Sequence, residues 1–361
     1  MEGIGEHVHW YVTGECNSKC VYCFGPHEVT DSSYEMEDVA HVLAGNAKKV
    51  ILTGGEPLVK DLDRVLRILK QGGVYVSLHT NGILLDERKI EGLSGLVDDI
   101  AIPIDSTNRR TQRGLRDSNF MPVYDRLGSL AESIQKRGMG LGYHTVFTKL
   151  NRGDIPGIYK FVKGTGFDYW RIYEFNDDLA RSKFIGMHSG HEISEQQIKE
   201  WKSISSLTDA GTPKKGYTDD LSADFLLTER EMKRHRDKRV QFVLPTDGTY
   251  IWVDNEGNAT YYDGFSFSKR RQLGNIIDEG FPPVTERLKE IHEHGIANDG
   301  FCEEDFVNRM QDAALWARYY DGWCDAEELE EVSPRYHELL FDLVRLYGKR
   351  VQGIDINRRK L

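Results

Sequence analysis

The stretch KKVILTGGEPLVKDLDRVLRILKQGGVYVSLH, residues 48–79, decides the fold class of this chain. Its two ends, 48–53 and 74–79, are short apolar or β-branched runs, as expected for strands that are buried on both faces. Between them, residues 60–71 carry apolar side chains at helical spacing and end at a pair of glycines. The stretch therefore predicts a β–α–β unit with two parallel strands and a right-handed crossover.

The same alternation continues along the chain up to about residue 176. Six such units predict an α/β fold, a partial (β/α)6 barrel of the TIM type, whose ligand groups come from loops at the carboxyl ends of the strands. The remaining predicted strands are 8–13, 98–104, 140–147 and 169–175, and the remaining predicted helices are 35–45, 86–93, 120–137 and 154–163.

The pattern changes after residue 176, and three regions are expected. Residues 1–176 form the barrel core. Residues 177–281 form a linker with one helix at 194–206 and a hairpin, for which 240–262 supply two strands around a turn at Asp254-Asn255-Glu256-Gly257. Residues 282–361 form a helical extension at the carboxyl end.

Composition excludes several classes of protein. The chain has 361 residues, 39% of them hydrophobic and 29% charged, which rules out global disorder. Its net charge of −11 argues against a long nucleic acid or an anionic membrane as a partner. No apolar run approaches the ~18–20 residues of a membrane span, and the first residues do not resemble a signal peptide. We therefore predict a soluble, cytoplasmic protein.

The five cysteines are informative through their spacing. Cys16, Cys20 and Cys23 lie within eight residues of one another, whereas Cys302 and Cys324 are far away along the chain. The trio follows the first predicted strand, so one loop can wrap three thiolates around a cluster. Structural zinc sites usually have four ligands, and ferredoxin sites bring four cysteines. A zinc loop and scattered free thiols are the alternative interpretations.

The segment Cys16-Asn-Ser-Lys-Cys20-Val-Tyr-Cys23 resembles the C-x3-C-x2-C motif of the radical S-adenosylmethionine (radical SAM) superfamily. The resemblance implies a 4Fe–4S cluster on the three cysteines, with one open iron that chelates S-adenosylmethionine. One electron then cleaves the sulfonium to a 5′-deoxyadenosyl radical, which removes a hydrogen from the substrate. An electron donor such as flavodoxin or ferredoxin is the implied partner.

Three further segments match the same superfamily. Residues 53–57 (TGGEP) look like its GGEP motif, residues 79–82 (HTNG) like its TNG motif, and 105–106 like its Asp-Ser pair. Each segment ends a predicted strand. The resemblance assigns S-adenosylmethionine binding to Tyr22, Gly54, Gly55, Glu56, Pro57, Thr80, Asn81, Asp105, Ser106 and Tyr173.

The hairpin region predicts a single cluster. The hairpin and the following Leu273-Gly274-Asn275-Ile276 resemble the SPASM and twitch branches of the superfamily, in which a hairpin cysteine binds an auxiliary cluster. This chain has two tyrosines, at 261 and 262, where that cysteine would fall. Cys302 and Cys324 are too few for a second cluster, and small buried side chains are their simpler interpretation.

A looser resemblance, to the viperin-like nucleotide dehydratases, suggests the substrate residues. It rests on Val8-His9-Trp10, Cys23-Phe24, Trp170-Arg171 and 247–250 (DGTY), although Gly25-Pro26-His27 and His144 depart from that pattern. It implies Arg171 as a substrate-binding residue and Tyr250 as a catalytic residue. We also expect His144 and, from the basic cluster 109–116, Arg113 to bind the substrate. His9 in strand 1 and Glu174 in strand 6 are further catalytic candidates. Core packing of His9 and Tyr250 and a structural ion pair of Glu174 are the alternatives.

Local positive charge favours a phosphorylated substrate. Basic clusters occupy 109–116, 230–239 and 269–271, and we expect them to meet at the mouth of the barrel. Arginine forks match phosphate oxygens, whereas solvated helix faces are the plainer explanation of such clusters.

The sequence thus predicts a radical SAM oxidoreductase or lyase that removes hydrogen from a small polar substrate. A nucleotide or sugar derivative is favoured, with dehydration, epimerisation or dehydrogenation as the reaction. A maturase for a ribosomally made peptide is the alternative enzyme, and a non-catalytic iron–sulfur protein is a third hypothesis.

Overall fold

The chain separates into two units, residues 1–293 and 294–361. Apart from residue 294, everything described below lies in the first unit. The region boundaries predicted at 176 and 281 stay predictions. The structure, a computed structural model, describes residues 6–23, 34–175, 228, 232, 234–243, 251–262 and 270–294.

A single mixed sheet contains all ten strands of the described residues. Its order is β10-β9-β8-β1-β2-β3-β4-β5-β6-β7, and neighbouring strands from β1 to β7 run parallel. The six predicted strands correspond to β1–β6, which confirms the α/β barrel-type class. The strands are β1 (His7–Thr13), β2 (Lys49–Gly54), β3 (Tyr75–His79), β4 (Asp99–Pro103), β5 (Gly140–Phe147), β6 (Tyr169–Glu174), β7 (Val240–Val243), β8 (Ile251–Val253), β9 (Asn258–Tyr262) and β10 (Arg270–Asn275).

Helices follow the strands as the β–α pattern predicts. The predicted helix 120–137 is broken in two, because Arg126 leaves the helical region at φ −118° and ψ 14°. No helix in the described part of the chain is both long and apolar enough to span a membrane. The helices are α1 (Met36–Ala44), α2 (Asp63–Gln71), α3 (Glu87–Leu93), α4 (Arg109–Leu115), α5 (Met121–Tyr124), α6 (Leu127–Lys136), α7 (Ile155–Thr165) and α8 (Phe281–His294), with short 3-10 turns at Pro57–Val59 and Arg152–Asp154.

The helix α2 shows how the sequence sets one element. Asp63 lies in the first turn, where a negative charge is favourable. Val65, Leu66 and Leu69 recur at helical spacing and are buried, so one face of the helix packs towards the sheet. The amide of Gly72 then closes the helix on the carbonyl of Ile68.

The region 240–262 differs from the hairpin that the sequence predicts. The segment 240–243 is β7, which runs parallel to β6, whereas a hairpin partner has to run antiparallel. The hairpin is formed by β8 and β9 alone, around the predicted turn at 254–257. At the opposite edge of the core, β8 pairs in parallel with β1.

The loop after β2 lies directly against the residues that precede Cys16. The amides of Gly55 and Glu56 donate to the carbonyls of Thr13 and Glu15, both at 2.7 Å. A Cβ atom at Gly55 would stand 2.0 Å from the Glu15 carbonyl oxygen. Only glycine allows this approach of the two backbones.

We therefore expect Gly55→Ala to displace the loop that carries the cysteines. Overpacking of this kind costs about 1–3 kcal/mol, which urea unfolding of the apoprotein would measure. Gly128→Ala is the matched control, because its Cβ meets nothing within 4 Å and the residue is helical. An equal effect of the two substitutions would contradict the close approach.

Candidate active site

The three cysteines of the trio lie on the loop that follows β1, as predicted. All three are free thiols and partly exposed. The amide of Val21, between the second and third cysteine, donates to the carbonyl of Leu115 at 3.0 Å, which ties the loop to the end of α4. The loop is thereby held at the carboxyl end of the parallel strands, where this class of fold places its ligand groups.

Polar groups surround two of the three sulfur atoms. The Ser18 amide lies 3.4 Å and Asn81 Nδ2 3.9 Å from Cys16 Sγ. The Arg116 guanidinium lies 3.7 Å from Cys20 Sγ, and the Ser18 hydroxyl 3.6 Å from it. Hydrogen bonds to ligand sulfurs are one of the means by which proteins tune iron–sulfur clusters. The donor set therefore fits a cluster with three thiolate ligands.

Burial favours the protonated form of two of the thiols, those of Cys16 and Cys20. It raises the pKa of Cys20 to about 11, although the positive charge of Arg116 acts in the opposite direction. Burial also raises the pKa of Cys16. Among the described residues, no three His, Cys, Asp or Glu side chains are arranged to hold a single metal ion. Metal loading has to displace these protons.

Glu56, from the GGEP motif, joins the loops after β2 and β3. Its side chain is fully buried, and burial raises its pKa. Its carboxylate accepts hydrogen bonds from the Thr80 hydroxyl at 2.6 Å, the Asn81 amide at 2.7 Å and the Leu58 amide at 3.1 Å. The residue therefore has a positioning role, and its predicted contact with S-adenosylmethionine stays a prediction, as do those of Gly54 and Pro57.

Asp105 connects the cysteine loop to two other elements. Its Oδ2 accepts hydrogen bonds from the Tyr22 hydroxyl and from Arg116 Nε, both at 2.6 Å. Its Oδ1 accepts a hydrogen bond from the Val146 amide at 2.8 Å. The carboxylate is fully buried. Burial and the neighbouring carboxylate raise the pKa of Tyr22 well above its usual value.

Ser106, the second residue of the Asp-Ser pair, is also held by the protein. Its amide donates to Gln112 Oε1 at 2.7 Å, and its hydroxyl donates to Asp154 at 2.6 Å. Contacts of this pair with a cofactor stay predictions.

The roles of Arg116 and Asp117 were not predicted from the sequence. Arg116 lies in the basic cluster 109–116, which was assigned to phosphate, but it is buried against Asp105 and Cys20. Asp117 has a φ of 142°, and its side chain accepts from the Ser18 hydroxyl and the Lys19 amide. Nothing in the local sequence distinguishes Arg116 from the exposed arginines before it, and nothing signals the role of Asp117.

Three histidines line up inside the sheet below the cysteine loop. The ring of His79 lies 4.2 Å from the ring of His144 and 6.2 Å from that of His9, measured between centroids. The other side of His9 faces Trp252 of β8 at 4.2 Å. Burial lowers the pKa of His9 to about 3 and the pKa values of His79 and His144 well below 6.5, so all three are neutral at pH 7.

Two cations accompany these rings. Arg171 of β6 is in register with His144 of β5, lies over the ring of Tyr169, and its charge helps to lower the histidine pKa values. Lys49 lies 3.9 Å from Asp99. Tyr173 places its ring edge-on to His144 at 5.3 Å.

In the part of the chain that the structure describes, the basic clusters do not all gather at the mouth as expected. Arg109 forms an ion pair with Asp125. Arg239 pairs with Asp237 and precedes β7, which runs parallel to β6, so it lies at the amino end of the strands. Arg109, Arg110 and Arg113 are exposed on α4. Tyr250 and the side chain of Glu174 lie outside the described residues, so their predicted catalytic roles, like the substrate role of Arg113, stay predictions.

Comparison with known proteins shows which family this domain resembles. A profile of the radical SAM superfamily matches residues 10–162, so the chain carries a radical SAM domain. That superfamily uses a 4Fe–4S cluster and S-adenosylmethionine, which confirms the cofactors expected from the resemblance.

Individual relatives show several activities. The chain is 25% identical over 275 residues to an S-adenosylmethionine-dependent nucleotide dehydratase of Lacinutrix mariniflava, which covers 69% of this chain and 49% of the relative. It is 26% identical over 360 residues to a cysteine-type anaerobic sulfatase-maturating enzyme of Clostridium perfringens, covering 89% and 90%. The chain thus spans about half the length of the dehydratase.

Solved structures support the fold. The structure of native anSMEcpe with bound AdoMet and the Cp18Cys peptide gives a TM-score of 0.57 at 16% identity, covering 95% of this chain and 96% of that one. Streptococcus suis SuiB bound to the precursor peptide SuiA gives 0.56 at 14% identity, covering 80% and 67%. At these identities the likeness concerns the fold alone.

We expect Arg116→Ala to destabilise the apoprotein strongly. The substitution leaves the buried Asp105 carboxylate without its cation, and breaking a buried pair in this way costs about 3–5 kcal/mol. Urea unfolding would measure the loss. Arg113→Ala, on the exposed side of the same helix, should stay within about 0.5 kcal/mol of the parent. If both variants were equally stable, the central role of the Asp105 carboxylate would be wrong.

Proposed function

We propose that this protein is a radical SAM enzyme that removes hydrogen from a small, phosphate-bearing substrate, with a nucleotide or a sugar phosphate as the favoured class. When bound, the cluster and S-adenosylmethionine supply reductive cleavage and hydrogen abstraction. The reaction that follows is a dehydration, an epimerisation or a dehydrogenation, as an oxidoreductase or a lyase would catalyse. The protein's own residues have to bind and orient the substrate.

The observation that carries this proposal is the cationic, imidazole-rich interior. Arg171 belongs to the face that also carries His9, His79 and His144, and it is in register with His144. The half-buried guanidinium of Arg171, among neutral rings, attracts an anion more strongly than a fully exposed one does, because less water screens it. Its planar fork also matches phosphate oxygens. The similarity to the nucleotide dehydratase supports the same substrate class.

The interior counts against a purely apolar substrate. His79 and His144 present polar nitrogens, and Lys49 adds a second cation near Asp99. A ligand that offered no polar groups would leave them without partners, at a cost of about 1–3 kcal/mol each. A polyhydroxylated phosphate ester satisfies such groups.

A peptide maturase is the second candidate. The hairpin of β8 and β9 beside β1 favours it, as does the alignment with the sulfatase-maturating enzyme over nearly the whole of both chains. The two tyrosines at 261 and 262, where the hairpin cysteine of a cluster would fall, count against a SPASM-type maturase.

The iron content tests the cofactor assignment. Anaerobically reconstituted protein should hold about four irons per chain and absorb near about 400 nm, as one 4Fe–4S cluster requires. Replacing Cys16, Cys20 and Cys23 together with Ala should remove both signals. The matched control replaces Cys302 and Cys324, which lie outside the described residues, and should leave both unchanged. Loss of half of the iron in that control would show a second cluster.

The substrate class is tested by binding and turnover. Reconstituted protein is titrated calorimetrically with nucleoside phosphates, sugar phosphates and inorganic phosphate, and 5′-deoxyadenosine is followed with each compound. We expect at least one phosphorylated compound to bind below millimolar concentration and Arg171→Ala to weaken it about 10-fold or more, as for a lost charged hydrogen bond. Arg110→Ala, on the exposed part of α4, is the control. Binding of a peptide or a neutral molecule in place of every phosphate would refute the proposal.

A further inference from the structure

His79 and His144 lie close to two loops that the family resemblance assigns to the cofactors. These are the cysteine loop after β1 and the loop after β3, called the cofactor loops below. His79 is the last residue of β3, and Asn81, two residues further on, reaches Cys16 at 3.9 Å. His144 comes from β5, two strands away, and its ring stands nearly perpendicular to that of His79, at 82°. Ala101 of β4, which is in register with His79, is small enough for the two imidazoles to meet across it. The pair therefore lies immediately beneath the cofactor loops.

Both imidazoles carry an unsatisfied polar atom. The Nε2 atoms of His79 and His144 are buried and have no hydrogen-bond partner among the described residues. Some neighbouring buried groups are satisfied, such as the indole of Trp170, which donates to the Thr145 hydroxyl at 2.9 Å, whereas Trp10 Nε1, Asp99 Oδ2 and Gln112 Nε2 also have no hydrogen-bond partner among the described residues. Two unpaired nitrogens on facing rings are unusual in a native interior, where buried polar groups are nearly always paired. A bound molecule with hydrogen-bonding groups would supply the missing partners.

The surrounding charges decide what this ligand offers. Facing the two rings are the neutral His9 and the cations Arg171, Lys49 and, towards His144, Arg116. Burial and these cations keep both imidazoles neutral, and a neutral imidazole has one N–H donor and one acceptor nitrogen. A hydroxyl group can donate as well as accept, so it matches either tautomer. An ammonium ion would be repelled by the nearby cations.

We propose that His79 and His144 form a hydroxyl-recognition pair that hydrogen-bonds the sugar hydroxyls of the substrate through their Nε2 atoms. The inference rests on the proposed function, because Arg171, in register with His144, holds the phosphate of the same molecule. The sugar ring then lies beneath the cofactor loops and its phosphate on the β6 side. The two histidines determine specificity and take no part in the chemistry.

The test compares matched ligands on the reconstituted full chain. Ribose 5-phosphate and the common ribonucleoside monophosphates are titrated beside their 2-deoxy and 3-deoxy counterparts. We expect at least one deoxy compound to bind about 10-fold or more weakly than its parent, because it leaves a buried nitrogen unpaired. The side chains of His79→Asn and His144→Asn do not reach the position of Nε2. In these variants the ratio of the deoxy compound's Kd to the parent compound's Kd should fall towards one. His79→Gln and His144→Gln, whose amides extend to that position, should restore part of it.

Controls separate the two proposals. The exposed His41 of α1 is far from this region in the fold, and His41→Asn should keep the parent ratio. If phosphorylated compounds bind but the Asn variants discriminate like the parent, the pair serves only a buried water and the inference fails while the proposed function stands. If no phosphorylated compound binds the parent protein, both fail together.

Discussion

The rest of the site depends on the hydrogen bonds that the buried carboxylate of Asp105 accepts. It accepts hydrogen bonds from the cysteine loop through Tyr22, from α4 through Arg116, and from β5 through the Val146 amide. Because a buried charge is stable only when it is paired and hydrogen-bonded, these three elements cannot move independently. Arg116 extends the arrangement to Cys20, so the position of a cluster ligand is linked to the packing of a barrel strand.

The buried carboxylate of Glu56 likewise links neighbouring elements, on the other side of the cysteine loop. Glu56 links the ends of β2 and β3 through Thr80 and Asn81, and Asn81 reaches Cys16. Two acidic residues that the family resemblance assigns to the cofactor thus fix the loops around it. Fixed loops matter for this chemistry, because a reactive site has to be held in place before the substrate arrives.

Much of this could be predicted from the sequence, for identifiable reasons. Short apolar runs such as 48–53 are unambiguous when helical segments separate them, and the spacing of Cys16, Cys20 and Cys23 is distinctive. The two edges of the sheet were harder, because 240–243 carries no information on which strand it joins. Side-chain partners could not be predicted, since an arginine in a basic cluster has the same local sequence whether it faces solvent, like Arg113, or a buried aspartate, like Arg116.

The pairing of β8 with β1 has a consequence for how the chain folds. Val8 can pair with Ile251 only after most of the protein has been synthesised. The edge of β6 that does not face β5 is likewise unpaired until residues 240–243 have been made. Until then, both borders of the nascent six-stranded sheet offer unpaired backbone groups to other chains. Contacts this distant along the sequence slow folding and leave intermediates prone to aggregation. Shortened versions that end near residue 176 would keep those borders permanently open, so low solubility of such fragments would reflect the topology of the sheet.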